Sequence, residues 1–316
     1  MYKVSVIVPV YGTEAYIEQC ARSLMEQTLD EVEYIFVNDA SPDRAEEVLR
    51  RTLEDYPQRK SQVTILNHPT NLGAAKARED GMRAARGEYL IHCDSDDWVE
   101  RDMYEVLYRK AKADNLDIVI SAFTEEGTVP RRVEQPMGSD SVREIIKSPV
   151  KCSLFNKLVR GRIVRDNDMR YPAHHMMEDY AICVQMFYHA RSEGYVDKSL
   201  YHYRIVSDSI CHQASEQSHM KRWREAFANV RLVDKFLSDQ GKSAYYAGEL
   251  LMAKLNVRGF LWPLLAKGTK YYMEWHDTFP ELNRKFVTSK YMSARMKLVF
   301  LITYLRGYAY YCKLKK

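Results

Sequence analysis

Three aspartates fall within four positions at Asp94-Ser95-Asp96-Asp97, and a second acid pair, Glu178-Asp179, follows later in the chain. Carboxylates this close repel one another and share raised pKa values unless a cation neutralises them. An all-oxygen set favours Mg2+ or Mn2+, and Mg2+ commonly takes one or two carboxylates together with substrate phosphates. The competing reading is a polar turn that caps the helix starting at Arg101, work that Asp and Ser do routinely. Position favours the ligand reading. The acids follow the apolar run Tyr89 to Cys93, and two other such runs end in Pro9-Val10-Tyr11-Gly12 and Asn38-Asp39-Ala40-Ser41. A planar ring stacked by Tyr11 and hydrogen-bonded by Asp39 suits a nucleobase.

Between these sites, NLGAAKARxxG (Asn71 to Gly81) places a glycine at a helix start with Lys76 and Arg78 in the first turns. Backbone N–H groups and a guanidinium there can hold phosphate oxygens, although Gly before an Ala-rich helix is equally a packing device. The segment matches neither GxGxxG nor GxxxxGK[ST], which speaks against a dinucleotide dehydrogenase or a P-loop enzyme. His174 and His175 precede the acid pair, but there is no HExxH pattern and Pro172 is close, so these histidines read as loop residues and not as zinc ligands. The six cysteines show no CxxC spacing, which favours reduced thiols in a cytoplasmic protein.

The elements that must position these groups alternate in type. Val4 to Val10, Tyr34 to Val37, Val63 to Leu66, Tyr89 to Cys93 and Ile118 to Ala122 read as strands. Glu14 to Glu26, Ala45 to Asp55, Gly73 to Ala85 and Arg101 to Ala113 read as helices. This is an α/β pattern of βαβ units with a mostly parallel sheet, which binds ligands outside the carboxyl ends of its strands. Glu125 to Ser141 is polar with Gly127, Pro130, Pro136 and Gly138, an expected excursion or mobile loop. Less regular segments follow: one around Cys152 to Val164, a helix from Glu178 to Ala190, and a short strand-like run Ser199 to Ile205. From Glu216 onward everything reads helical, which predicts one domain over 1–214, with halves 1–120 and 121–214, and a helical region over 215–316.

VSVIVPVYG, YIFVNDASPD, NLGAAKARxxG and GEYLIHCDSDDW, in this order and spacing, resemble the nucleotide-sugar-binding half of the family 2 glycosyltransferases, inverting enzymes with the GT-A fold. The match is dense over residues 1–120 and looser to about residue 212. The resemblance implies that Pro9, Tyr11 and Asp39 hold the base of a nucleotide, usually uridine, and that Arg78 acts at the nucleotide or diphosphate. It places Asp94 by the ribose, Ser95 in the same nucleotide-sugar site and Asp96 at a Mn2+ or Mg2+ ion within a DxD motif. It also implies that Asp179, beside Glu178, is the catalytic base. His212 could complete the metal's coordination, although a lone His is more often a surface or core residue. Arg204 either stabilises a leaving diphosphate or pairs with a carboxylate, and Trp98 either lines the sugar pocket or belongs to the core.

The function this implies is metal-assisted transfer of a hexose or N-acetylhexosamine from a UDP-sugar to a glycan or lipid-linked acceptor. Two rivals are a non-catalytic nucleotide-sugar-binding subunit of a glycan-assembly complex and a nucleotidyltransferase. Retention of every acid argues against the first, and the lack of an early Gly-rich basic loop against the second.

Charge adds a possible address. Of 316 residues, 46% are hydrophobic and 28% charged, the composition of an ordinary globular chain. The net +4 is unevenly spread: no Asp or Glu follows Glu281, whereas nine Lys and Arg do, so residues 1–281 carry −5. Tyrosines interleave with those cations around LVFLITYL, a pattern suited to a helix lying on an anionic membrane at the cytoplasmic face. The alternative is a packed terminal helix with a solvated basic face. No nucleic-acid motif, spanning segment or secretory signal appears in the chain.

Overall fold

A computed structural model of the chain describes residues 2–148, 151–205 and 215–306. Its first third is a run of parallel strands, β1 (Val4–Val10), β2 (Val32–Asn38), β3 (Val63–Asn67) and β4 (Tyr89–His92), paired in the order β3-β2-β1-β4. Helices α1 (Ile17–Met25), α2 (Ala45–Glu54) and α3 (Ala74–Ala84) connect them. The β-branched run VSVIVPV suits a strand covered on both faces. Val4, Val6, Val8 and Val10 pack with Leu24 and Leu49 of α1 and α2, while Ile7 faces Ala77 and Met82 of α3. α3 lies close to the sheet at Gly81, where a Cβ would come within 2.4 Å of the Ile7 side chain.

The strand order reverses at β1, and Pro9 helps to open the crevice there. Odd-numbered residues of β1 face β4, as the bond from Cys93 N–H to Ile7 C=O shows, and even-numbered ones face β2, as that from Asp39 N–H to Val10 C=O shows. The β1–β4 register ends at Ile7 and His92. Pro9 therefore lacks its N–H on the side where pairing has already ceased, which is where a proline is tolerated. Beyond it the two chains separate.

The sheet continues β4-β8-β6-β9-β5 through β5 (Trp98–Val99), β6 (Ile118–Glu126), β8 (Lys157–Arg160) and β9 (Glu193–Arg204), with β7 (Arg131–Val133) paired to β6. The β4–β8, β8–β6, β6–β7 and β5–β9 pairs are antiparallel, and β6–β9 is parallel. Helices α4 (Met103–Ala113), α5 (Ser141–Lys147), α6 (Gly161–Arg165) and α7 (Glu178–His189) flank it. Two expectations change here. The polar stretch after Glu125 is not simply a loop, because β6 runs to Glu126 and turns into a hairpin with β7. The run Ser199 to Ile205 is the end of a strand that starts at Glu193; its register against β6 jumps from Ser121–Val196 to Ala122–Ser199, so exposed Asp197 and Lys198 bulge out and break the alternation.

The last region is helical: α8 (Glu216–Asp239), α9 (Ala247–Gly259), α10 (Thr269–Asp277), α11 (Leu282–Thr288) and α12 (Ala294–Tyr304). Its apolar interior is continuous with one face of the sheet, running from Ile7 and Ile120 through Tyr180 to Trp223, Phe236, Trp275 and Phe300. The other face holds a separate core that includes Tyr34, Tyr104 and Leu107.

Candidate active site

The ends of β1 and β2 are tied together. Tyr11 stands half exposed on the rim, and Gly12, at φ +67°, donates its N–H to Ser41 Oγ at 2.8 Å. Asp39 is buried, its carboxylate accepting from Leu72 N–H (2.8 Å), Gly73 N–H (2.6 Å) and His68 Nδ1 (2.7 Å). Ala74 N–H, in turn, donates to His175 Nδ1 at 3.2 Å. The N–H groups that the sequence offers to phosphate are thus committed to Asp39 and His175, and Lys76 pairs with Glu79 and Asp80 on its own helix. Gly73 is required at this point: φ is +95°, and a Cβ would collide with the His175 ring. His175 lies against this turn.

The segment after β4 folds back on itself, Asp97 N–H donating to Asp94 C=O at 3.1 Å. Its carboxylates have different roles. Asp97 is 1% exposed and works for the fold: it accepts from Tyr201 Oη (2.6 Å) and from the Arg204 N–H (2.7 Å), tying the turn to β9. Ser95 Oγ accepts from Thr13 Oγ1 at 3.1 Å. Asp96 is pushed up to about 6, first by burial and then by the neighbouring Asp94 charge. Arg204 holds the same turn through Asp96 C=O (2.9 Å) and reaches Gln19 Oε1 (2.6 Å), with its guanidinium 4.6 Å from the Trp98 ring centroid. Trp98 stacks on His202 at 5.0 Å.

Arg78 joins the two acid clusters. From α3 its guanidinium donates to Asp94 Oδ1 at 2.6 Å and to Glu178 Oε1 at 2.8 Å, a fork between groups 84 positions apart in sequence. Glu178 and Asp179 open α7 directly after Met177, a non-glycine residue at φ +66°, which turns the chain sharply into the helix. Burial pushes both carboxyls up, Asp179 to about 6 and Glu178 further, against the lowering effect of Arg78. Asp179 Oδ1 also accepts from Tyr180 N–H at 2.7 Å. Lys157 is buried with its Nζ on Ser153 C=O (2.7 Å), Asn156 Oδ1 (2.9 Å) and Gln135 Oε1 (3.2 Å); its charge favours the ionised form of Asp179.

Several contributors escape the motif reading. Asn229 of α8 donates to His174 C=O and Met176 C=O, both at 2.9 Å, and Glu225 accepts from Met176 N–H at 3.2 Å, so the helical region holds the loop that delivers the acid pair. The signal in the sequence is a polar residue at a position of α8 where the helical period calls for an apolar one, and in the structure it is 1% exposed. His68 bridges Asp39 and Asp80. His92, 3% exposed on β4, has no hydrogen-bond partner on either ring nitrogen among the described residues; burial, with the Arg78 charge, lowers it to about 3 and keeps the ring neutral. His212 lies outside the described residues.

Among the described residues no three His, Cys, Asp or Glu side chains converge as a cage for a metal. Asp94 and Asp96 fit a different mode, in which Mg2+ or Mn2+ takes one or two carboxylates and finds its remaining ligands on bound phosphates. Asp94 is already paired with Arg78, and Asp96, raised first by burial and then by the Asp94 charge, is the carboxyl of this turn that a cation would stabilise in its ionised form.

Residues 5–195 match the model of the family described as Glycosyl transferase family 2. The Bacillus subtilis (strain 168) protein EpsH, which carries a glycosyltransferase name, is 30% identical over 259 residues, 78% of this chain and 72% of its own. In structure the chain is similar to Staphylococcus aureus TarS (residues 1–349) in complex with UDP-GlcNAc, with a TM-score of 0.62 and 17% identity over 98% of this chain and 89% of that one. It is also similar to the mannosyltransferase PcManGT from Pyrobaculum calidifontis in complex with GDP-Man and Mn2+, with a TM-score of 0.54 and 17% identity over 96% and 86% of the two chains. At these identities the structural likeness establishes the GT-A fold.

Proposed function

The chain belongs to glycosyl transferase family 2, and from that premise we propose that this glycosyltransferase moves a hexose or N-acetylhexosamine from a UDP-sugar to a glycan or lipid-linked acceptor with inversion at the anomeric carbon. The observation that carries the reading is the Arg78 fork, which holds the end of the Asp94–Asp97 turn against the Glu178-Asp179 pair at 2.6 and 2.8 Å. A donor site and a base must be this close for a single displacement.

In the proposed reaction Asp179 accepts the proton of the acceptor hydroxyl as its oxygen bonds to the anomeric carbon. The bond from that carbon to the diphosphate breaks, and its electron pair leaves with the phosphate oxygen. Partial burial keeps Asp179 basic enough for the task, because a base with a pKa near the working pH combines availability with proton affinity. Arg78 orients Glu178 and limits repulsion between the two clusters. Tyr11 and Asp39 take the base of the nucleotide, with Pro9 and Ser95 beside them, and Asp39 is held by its three donors before any ligand arrives. Asp94 and Asp96 would hold Mn2+ or Mg2+, which would supply positive charge beside the departing diphosphate at this carboxylate-rich rim. The UDP-GlcNAc and UDP complexes of TarS support uridine over guanosine, and the GDP-Man complex of PcManGT supports the reverse, so the donor choice rests on direct comparison of the two.

The test is a thermal-shift screen of UDP- and GDP-sugars with and without Mn2+, followed by transfer assays with Asp179→Asn. A binding donor raises apparent stability by linkage. The variant is expected to keep that shift and lose transfer by about 10²–10⁴-fold. Undiminished transfer would remove Asp179 as the base.

A further inference from the structure

α12 buries one side and leaves the other bare. Phe300 packs on Trp275 and Phe286, with ring centroids 4.9 and 4.5 Å apart, and Tyr304 C=O accepts from Tyr272 Oη at 2.6 Å. Opposite them, Ala294, Leu298 and Leu301 at i, i+4 and i+7, with Leu305 just past the helix end at i+11, line up on a single stripe. The three leucines are 56%, 42% and 69% exposed. Val287, 61% exposed, extends the patch on one border, where Lys297 Nζ donates to its carbonyl oxygen at 2.8 Å. Arg295 stands exposed on the other border and Arg306 at the far end. A row of leucines left facing water is an interaction surface more often than an accident.

The charge of the border selects the partner. No acidic residue follows Glu281, so every side chain of this segment that is charged at pH 7 is cationic. A second copy seated on the same stripe would bring two cationic borders together, which disfavours self-association. No helix among the described residues is long and apolar enough to cross a membrane. We propose that the Leu298–Leu301–Leu305 face docks in the plane of an anionic phospholipid surface, with the leucines at the acyl boundary and Arg295 and Lys297 among the headgroups. Combining a short apolar face with basic residues is what reversible attachment requires. The apolar residues of this helix and its end divide accordingly: Phe300 and Tyr304 serve the fold, and the leucines face outward. This inference requires only the fold of the terminal helices and stands whether or not the acceptor is lipid-linked.

Co-sedimentation of the full chain with vesicles tests it, using phosphatidylcholine alone and phosphatidylcholine with roughly a quarter phosphatidylglycerol. Partition onto the anionic vesicles is expected to exceed that onto neutral ones by about tenfold or more, and to fall at about 1 M salt, where the screening length is about 3 Å. The triple substitution Leu298→Glu, Leu301→Glu, Leu305→Glu should reduce partition by about tenfold or more. Leu305→Glu alone, at the most exposed of the three, should lower it severalfold without disturbing the helical circular dichroism, and it decides the matter if the triple variant misfolds. Arg295→Gln with Lys297→Gln should remove most of the preference for anionic vesicles. Equal partition of Leu305→Glu and the unaltered chain overturns the proposal. So does equal binding to both vesicle types, or a solution dimer that Leu305→Glu dissolves.

Discussion

Two buried guanidiniums, one in each part of the molecule, do different work. Arg78 lies between α3, the β4 end and α7; its two terminal nitrogens donate to the carboxylates of Asp94 and Glu178, and its Nε has no hydrogen-bond partner among the described residues. Arg258 of α9 is 1% exposed and donates to the carbonyls of Thr278 (2.6 Å), His276 (3.0 Å) and Phe279 (3.1 Å) and to Asn283 Oδ1 (2.8 Å), with its plane 4.6 Å from the Trp275 centroid. Carboxylate partners hold Arg78 in its charged form, whereas Arg258, among neutral acceptors, is lowered to about 10 by burial. Burial of a charge therefore does not identify a functional site; the chemistry of its partners does. Arg258 knits together the end of α10 and the turn that follows it. Arg78 holds the two acid clusters that the proposed reaction uses.

The largest effect expected from breaking this contrast is on stability at the neutral-acceptor arginine. Arg258→Met strands three carbonyls and an amide in the interior and should cost about 3–5 kcal/mol, measured by urea unfolding. That deficit should be nearly constant between pH 5 and 8, because its main partners do not titrate. Arg78→Met should instead lower kcat/KM by about 10²–10³-fold, or roughly 3–4 kcal/mol of transition-state stabilisation. Its stability deficit should shrink as the pH falls from 7 to 5. Without the cation the folded-state pKa values of Glu178 and Asp179 rise further, and a carboxyl raised on folding penalises the fold increasingly from its unfolded value up to the raised one, so the penalty recedes as the pH falls through that window. A pH-independent deficit in Arg78→Met would erase the distinction between the two arginines.

The same contrast explains what could be read from the sequence. The β3-β2-β1-β4 block and its rim were legible because β1, β2 and β4 are buried parallel strands that read as apolar runs, with Tyr11 and Asp39 directly at the ends of β1 and β2 and Asp94 two residues past β4. The second half of the sheet was less so. Its β9 strand hides behind a bulge at Asp197 and Lys198, and β7 lies in a polar hairpin whose composition reads as loop. The Arg78 fork was invisible for another reason: it pairs one motif with another far along the chain, and no local pattern carries a contact of that range. Asn229 was missed because a buried amide in a helical stripe looks like tolerated polarity until its two carbonyl partners are known.

A smaller effect should appear in the pH profile. Asp179 faces Arg78 from α3, Lys157 from β8 and Asp94 from the β4 end, with Glu178 beside it; burial outweighs the two cations and brings it to about 6. A base must be ionised to accept a proton, so kcat/KM should fall about tenfold per pH unit below an apparent value near 6 that belongs to the Glu178-Asp179 pair. A profile flat down to pH 5 would mean that the base is elsewhere.

The smallest effect runs opposite to the loss of activity. Between the unfolded value of 3.8 and the folded value of about 6, the folded state binds more protons at Asp179 than the unfolded state does. Stability attributable to this group therefore decreases as pH rises through that window, and the penalty is fully present at pH 7. Asp179→Asn removes the charge and keeps an oxygen that can accept from Tyr180 N–H. At pH 7 it should raise Tm by about 2–4 °C, and at pH 4, where the wild-type carboxyl is already neutral in the folded state, the gain should vanish. Such a gain marks a site where stability has been sacrificed for function. A substitution that destabilised the protein equally at both pH values would instead assign Asp179 to the fold, together with Arg258.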